Sequence, residues 1–159
     1  MSLITVRPAT PADAEFLVRG NAAMALETES LTLDMDRLRR GIHGLFEDPN
    51  RGFYLVAETD GRRVGQLMIT YEWSDWRNGV FWWVQSVYVV PECRGQGVYR
   101  RLYQEVHELA KRARNVCGIR LYVEAENQRA QATYERCGMS RTAYVLYEDD
   151  FIIMRTGAH

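Results

Sequence analysis

The stretch that most restricts the fold of this chain is Val84-Gln85-Ser86-Val87-Tyr88-Val89-Val90, closed by Pro91 and followed, after Glu92 and Cys93, by Arg94-Gly95-Gln96-Gly97-Val98-Tyr99. β-Branched and aromatic residues fill the first part and a proline ends it, so it reads as a strand stopped by a turn. Beyond Gly97 the apolar period lengthens. Val98, Leu102, Val106, Leu109, Ala110 and Ala113 fall on one face of a 3.6-residue helix, and Arg100, Arg101, Gln104, Glu105, Glu108, Lys111 and Arg112 lie mostly on the other. A glycine-rich turn at a helix start presents unbonded N–H groups at the positive end of the helix dipole, here beside an arginine. Such a turn is suited to phosphate.

Two common phosphate motifs do not fit. There is no Gly-Lys-Ser/Thr ending of a P-loop and no Gly-x-Gly-x-x-Gly dinucleotide fingerprint. The spacing from Arg94 to Tyr99 instead resembles the acyl-CoA pyrophosphate loop of the GNAT superfamily of N-acetyltransferases, Gln/Arg-x-x-Gly-x-Gly/Ala, with Tyr99 where that family usually has a small residue. A second stretch, Glu126-Asn127-Gln128-Arg129-Ala130-Gln131-Ala132-Thr133-Tyr134-Glu135-Arg136-Cys137-Gly138-Met139, is similar to the family's Asn-x-x-Ala-x-x-x-Tyr-x-x-x-Gly-Phe/Met. Asn127 can cap a helix, Ala130 and Tyr134 are one turn apart, and Gly138 can end it.

The rest of the chain supplies the elements around these motifs. Leu3 to Arg7 reads as a strand. Thr10-Pro11-Ala12-Asp13 opens a helix running to about Leu26, and a break follows at Glu27-Thr28-Glu29-Ser30. Asp34 or Asp36 caps a second helix through Leu38, Ile42, Leu45 and Phe46, ended by Asp48-Pro49-Asn50. Phe53 to Glu58, Val64 to Trp73 and Val80 to Val90 form an antiparallel meander, with Phe81, Trp83, Gln85 and Val87 on one sheet face. A strand from Ile119 to Glu124 follows the long helix. After the Asn127 helix come strands at Tyr144 to Tyr147 and Phe151 to Met154, turning at Asp149-Asp150.

This order resembles the GNAT fold over nearly the whole chain. The resemblance implies an α/β (α+β) class, with a single mixed, mostly antiparallel sheet, a central splay between two parallel strands and helices on both faces. Residues 1–159 are then one domain. The splayed strands are Val80 to Val90 and Ile119 to Glu124, and the main chain of Val87, Tyr88 and Val89 meets the pantetheine arm. The cofactor is acetyl-CoA, held also by Arg94, Gly95, Gln96, Gly97, Val98, Tyr99, Arg100 and Asn127.

Composition narrows the class without naming it. A chain of 159 residues, 47% hydrophobic and 26% charged, is long enough for one core without staples. Twenty basic and 21 acidic residues give a net charge of −1, so no strong pull toward nucleic acid or anionic membrane is expected. Cys93, Cys117 and Cys137 form no Cys-x-x-Cys pair, which points away from zinc and disulfides and toward a cytoplasmic chain with reduced thiols. Cys93, beside Arg94, reads as an inert turn residue. His43, His107 and His159 are scattered, with no spacing for a metal or triad, and no run of 18 apolar residues spans a membrane.

Acyl transfer from a thioester to an amine needs a placed thioester, a neutral amine, a donor for the carbonyl oxygen and a proton for the departing thiolate. A strand N–H near Val89 can be the oxygen's donor, and the Tyr134 phenol can supply the proton. The base is one of Glu72, expected near the splay, and Glu27 or Glu29, at the helix break. Trp73 and Trp76, with Glu72, Glu27 and Glu29, would form an aromatic, acidic wall for a cationic amine. The expected reaction is acetylation of a primary amine on a small molecule or peptide by direct attack in a ternary complex. A non-catalytic acyl-CoA-binding module of the same fold is the alternative, and a homodimer is left open.

Overall fold

Strand and helix periods alternate in the first three-quarters of the chain, and the computed structural model, which describes residues 2–153, follows them. The chain divides into two compact units, Met1–Tyr122 and Val123–His159. The first holds β1 (Thr5–Pro8), α1 (Ala14–Glu29), α2 (Met35–Glu47), β2 (Gly52–Thr59), β3 (Arg62–Ser74), β4 (Gly79–Val89), α3 (Val98–Arg112) and β5 (Val116–Arg120). The second holds α4 (Gln128–Arg136). The strands form one sheet in the order β1-β2-β3-β4-β5, antiparallel except for the parallel pair β4 and β5.

Alternation along the strands splits the core into two. Leu55, Leu67, Ile69, Trp82 and Val84 meet Val98, Leu102 and Val106 of α3 on one face. Tyr54 and Val56 meet Leu17 and Val18 of α1 and Ile42 and Leu45 of α2 on the other. Helices therefore cover both faces, as the mixed-sheet reading expects. The α3 face also buries Tyr103, while Ala113, expected on it, is exposed.

α1 runs past its expected end. It continues through Glu27 to Glu29 and stops where Ser30 turns left-handed, at φ 50°. At its other end a short 3₁₀ turn, Pro11–Asp13, precedes it, and the Thr10 N–H donates to Asp13 Oδ2 at 2.8 Å. Asp13 is fully buried and receives Arg7 Nη1 at 2.8 Å and Arg63 Nε at 2.6 Å, which ties β1 and β3 to the start of α1. The Arg7 guanidinium, foremost, holds the Asp13 carboxyl far below the usual carboxylate range. A carboxylate so depressed stabilises the fold fully above its unfolded pKa of about 4, and the contribution fades as pH falls below that. Asp13→Asn should cost about 2–3 kcal/mol at pH 7, at the low end for a broken buried pair because both arginines are partly exposed. Urea melts at pH 7 and pH 2.5 check this, and the gap between variant and wild type should narrow at the lower pH.

Two expectations are corrected. The strand expected from Ile119 to Glu124 begins earlier, at Val116, and leaves the sheet after Arg120, because its ladder with β4 ends at Trp83 opposite Arg120. The expected strands at Tyr144 to Tyr147 and Phe151 to Met154 are irregular as far as Ile153, and Met154, like His159, lies outside the described residues. Their backbone is held by local side chains instead: Thr142 Oγ1 accepts from the Tyr144 N–H, and Asp150 Oδ1 accepts from the N–H groups of Ile152 and Ile153. Without a ladder, strand propensity alone does not make a strand. Among the described residues β5 is therefore the last strand of the sheet, paired in parallel with β4.

Candidate active site

β4 carries one residue too many for its partner. Gln66 opposes Tyr88 and Met68 opposes Gln85, so Leu67 faces both Ser86 and Val87. Ser86 is the extra residue and takes a left-handed φ of 51°. The β4 residues on the α3 side are consequently Val80, Trp82 and Val84, then Val87 and Val89. This corrects the expectation that Gln85 and Val87 share a face: an inserted residue reverses the alternation between them. β4 and β5 pair only from Val80 opposite Val116 to Trp83 opposite Arg120. Past that point, among the described residues, the β5-side edge of β4 has no strand partner, and Val87, Tyr88 and Val89 lie along this open edge.

The strand leads directly into the glycine turn. Val90 N–H donates to Val64 O, Arg94 N–H to Pro91 O, and the Gln96 side chain to Glu92 O at 2.9 Å, so the loop is built by its own contacts. Gly95 and Gly97 sit at φ 74° and 85°. Gly97 is the N-cap of α3 and no side chain caps that end. The first helical bond is Arg101 N–H to Gly97 O, so the N–H groups before it precede the helical ladder. Tyr99, in place of the small residue of the motif, turns its ring along the helix to stack on Tyr103, with centroids 6.3 Å apart, and packs against the α3-side core. The bulky residue is thus accommodated away from the loop's N–H groups.

Arg94 points elsewhere than its place in the motif suggests. Its Nη2 pairs with Glu27 Oε2 at 2.8 Å, its Nε donates to Val89 O at 2.9 Å, and its guanidinium lies 5.4 Å from the centre of the Tyr88 ring. The arginine therefore ties the last turn of α1 to the end of β4. The Tyr88 phenol is pushed up by burial, then by the Glu27 charge.

The acidic, aromatic wall is dispersed. Glu72 opposes Phe81, five residues before Ser86, at the end where β4 and β5 are still paired. At about 3.3 Å per residue that is roughly 16 Å from the bulge. Its carboxylate is held by Arg120 Nη1 at 2.6 Å, with the guanidinium laid over Phe81. Glu72 thus stands two residues short of Trp83, where the pairing of β4 and β5 ends, and farther from the bulge. Trp73 and Trp76 are 62% and 85% exposed in and after the end of β3. Glu27 and Glu29 both lie in the last turn of α1, on the same side of the sheet as Tyr88.

In the second unit the Asn127 side chain accepts from Ala130 N–H at 3.1 Å, so its oxygen caps α4. Tyr134 is half-buried on that helix, and burial, with a smaller contribution from Cys137, pushes its phenol above the ordinary value. The phenol therefore stays protonated at neutral pH. Gly138 closes the helix at φ 89°.

The model of the acetyltransferase (GNAT) family matches residues 21–139. A crystal structure of "a possible acetyltransferase from Clostridium difficile 630" is 42% identical, covers 95% of this chain and 99% of that one, and has a TM-score of 0.86. A "predicted acetyltransferase with acetyl-CoA from Clostridium acetobutylicum" is 19% identical with a TM-score of 0.75 over 92% of this chain and 96% of that one, a likeness of fold alone. Mycothiol acetyltransferase of Corynebacterium aurimucosum is 27% identical over 132 residues, which is 80% of this chain and 43% of that protein. The chain thus spans less than half the length of the curated relatives it matches. It belongs to the acetyltransferase (GNAT) family. Transfer of an acetyl group from acetyl-CoA to an amine is the reaction generic to that family.

Proposed function

We propose that this chain transfers the acetyl group of acetyl-CoA to a primary amine of a small molecule or peptide. The observation that carries the reading is the open β5-side edge of β4 past Trp83, running straight into an uncapped helix start with glycine at both left-handed positions. An extended edge of N–H and C=O groups suits the amide-rich pantetheine arm, and the helix start suits the pyrophosphate. In this reading the main chain of Val87, Tyr88 and Val89 and the loop from Gly95 to Arg100 hold the cosubstrate. Arg94 contributes its backbone and the α1 tie. Asn127 caps α4 and thereby sets Tyr134.

The two units, by this proposal, belong to one domain over 1–159, since the family match runs across their boundary at Tyr122. The amine nitrogen attacks the thioester carbonyl, the carbon–sulfur bond breaks, and the departing sulfur takes a proton, a role for the Tyr134 hydroxyl that rests on its place in the family's motif. A strand N–H near Val89 takes the carbonyl oxygen. The amine must first lose a proton. Glu29 and Glu72 are the carboxylates we assign to this step, with Glu27, which pairs with Arg94, behind them.

CoA should stabilise the folded chain. At a hundred times the dissociation constant a ligand adds about 2.7 kcal/mol, a rise of several degrees in Tm for a chain of this size. A thermal melt unmoved by saturating CoA or acetyl-CoA would sink the cofactor reading.

A further inference from the structure

The bulge at Ser86 puts a serine where glycine is the usual occupant, and two side chains meet it from the α1 side, one of them braced by a third. Gln66 of β3 is fully buried, and its Nε2 donates to the Ser86 carbonyl oxygen at 3.2 Å. Tyr54 of β2, also buried, has Asn21 and Ser86 as the polar neighbours of its phenol, and Asn21 Nδ2 donates to Tyr54 Oη at 3.1 Å and to Leu17 O at 2.9 Å. Gly20 makes room for this group, because a Cβ there would collide with Gln66 Oε1.

An amide oxygen facing the Ser86 carbonyl would repel it, so the amide is oriented for its donor. Its Oε1 has no hydrogen-bond partner among the described residues. Burying a primary amide is unfavourable unless it is bonded, and an apolar residue would fill the space at less cost. What the amide adds is a fixed partner for a carbonyl that a regular strand would point elsewhere. A left-handed non-glycine residue persists only when its surroundings determine it.

We propose that Gln66 is a positioning residue that holds the Ser86 bulge, and with it the register of Val87, Tyr88 and Val89 along the open edge of β4. The role rests on the reading of that edge as the cosubstrate site. Gln66 acts through the backbone it fixes and touches neither substrate. Tyr54 and Asn21 complete the clamp from β2 and α1, and Gly20 is the position that lets α1 close on it.

The test pairs a loss with a specific rescue. Gln66→Met keeps the volume and removes the donor, and it should weaken CoA affinity about tenfold, the scale of one buried hydrogen bond. Without CoA, it should also speed amide exchange at Val87 to Val89. Ser86→Gly supplies a residue that adopts positive φ unaided, so the double variant should regain most of the affinity and exchange protection, while single Ser86→Gly binds as wild type. If Gln66 merely filled the core, glycine at 86 would restore neither. Wild-type affinity in Gln66→Met, or no rescue in the double variant, overturns the proposal.

Should Gln66→Met not fold, Ser86→Val gives the same test from the other side. A β-branched residue is a severe outlier at positive φ, so it should weaken CoA binding likewise, and unchanged affinity would again overturn the clamp. CoA binding by the wild type tests the cosubstrate reading separately. If the wild type binds none, exchange at β4 alone decides the clamp.

Discussion

Gly97→Glu is expected to abolish CoA binding while leaving the chain folded. Among the described residues, and apart from its neighbours along the chain, nothing lies within 4 Å of where a Cβ at Gly97 would stand, so the new side chain meets no packed neighbour. Its backbone cost comes from φ 85°, a conformation side chains rarely adopt, and is about 1–3 kcal/mol. A stability of about 5–15 kcal/mol absorbs that. The effect on a phosphate is larger. Two unit charges of like sign 4 Å apart near a protein surface repel by about 4 kcal/mol, roughly a thousandfold in affinity. Gly97→Ala carries the strain without the charge and should lose far less. Calorimetry with CoA on both variants, with circular dichroism for the fold, separates the two contributions. Equal affinity in wild type and Gly97→Glu would remove this turn from the binding site.

Tyr134→Phe is expected to lower turnover about 100-fold, the range for losing one acid catalyst, with little change in acetyl-CoA affinity. The ring and its packing on α4 are kept, and only the hydroxyl goes. Burial pushes the phenol up, so it is protonated across the neutral range and should limit the rate only at alkaline pH, where it ionises. The wild-type profile should therefore fall at high pH, and in Tyr134→Phe that fall should vanish. Equal turnover in the variant would mean that water protonates the thiolate and that Tyr134 is a packing residue.

The sequence announces the parts of this fold that depend on local chemistry. The glycine turn, the Asn127 cap and the three-strand meander all follow from short-range signals, and each is present. Non-local register is less visible. The apolar positions of β4 are spaced 80, 82, 84, 87, 89, and that extra step was available as the mark of a bulge, yet strict alternation through Gln85 and Val87 hides it. Ser86 is also an unusual residue for a left-handed position, and the side chain that holds it, Gln66, comes from a neighbouring strand.

The acceptor carboxylates were harder for the same reason. Glu72 shares a strand face with Thr70 and Met68, but only the pairing of β3 with β4 shows that it stands opposite Phe81, within the stretch where β4 and β5 are paired. Its partner Arg120 is 48 residues away in sequence. Glu27 likewise meets Arg94 across 67 residues, so a carboxylate that reads as free at a helix end is matched by a charge no local pattern names. Toward residue 153, where composition favours strands, the backbone N–H groups of Tyr144, Ile152 and Ile153 bond to side chains two or three residues away.

The measurement that bears most directly on the acetyltransferase reading is mass spectrometry of the products after incubating the chain with acetyl-CoA and a panel of primary amines, with free CoA counted in the same samples. The expected result is at least one acetylated amine, formed in equal amount to the CoA released and strongly reduced in Tyr134→Phe. Tight CoA binding with no acetylated amine from any member of a panel spanning small amines, amino acids, polyamines and peptides would contradict it.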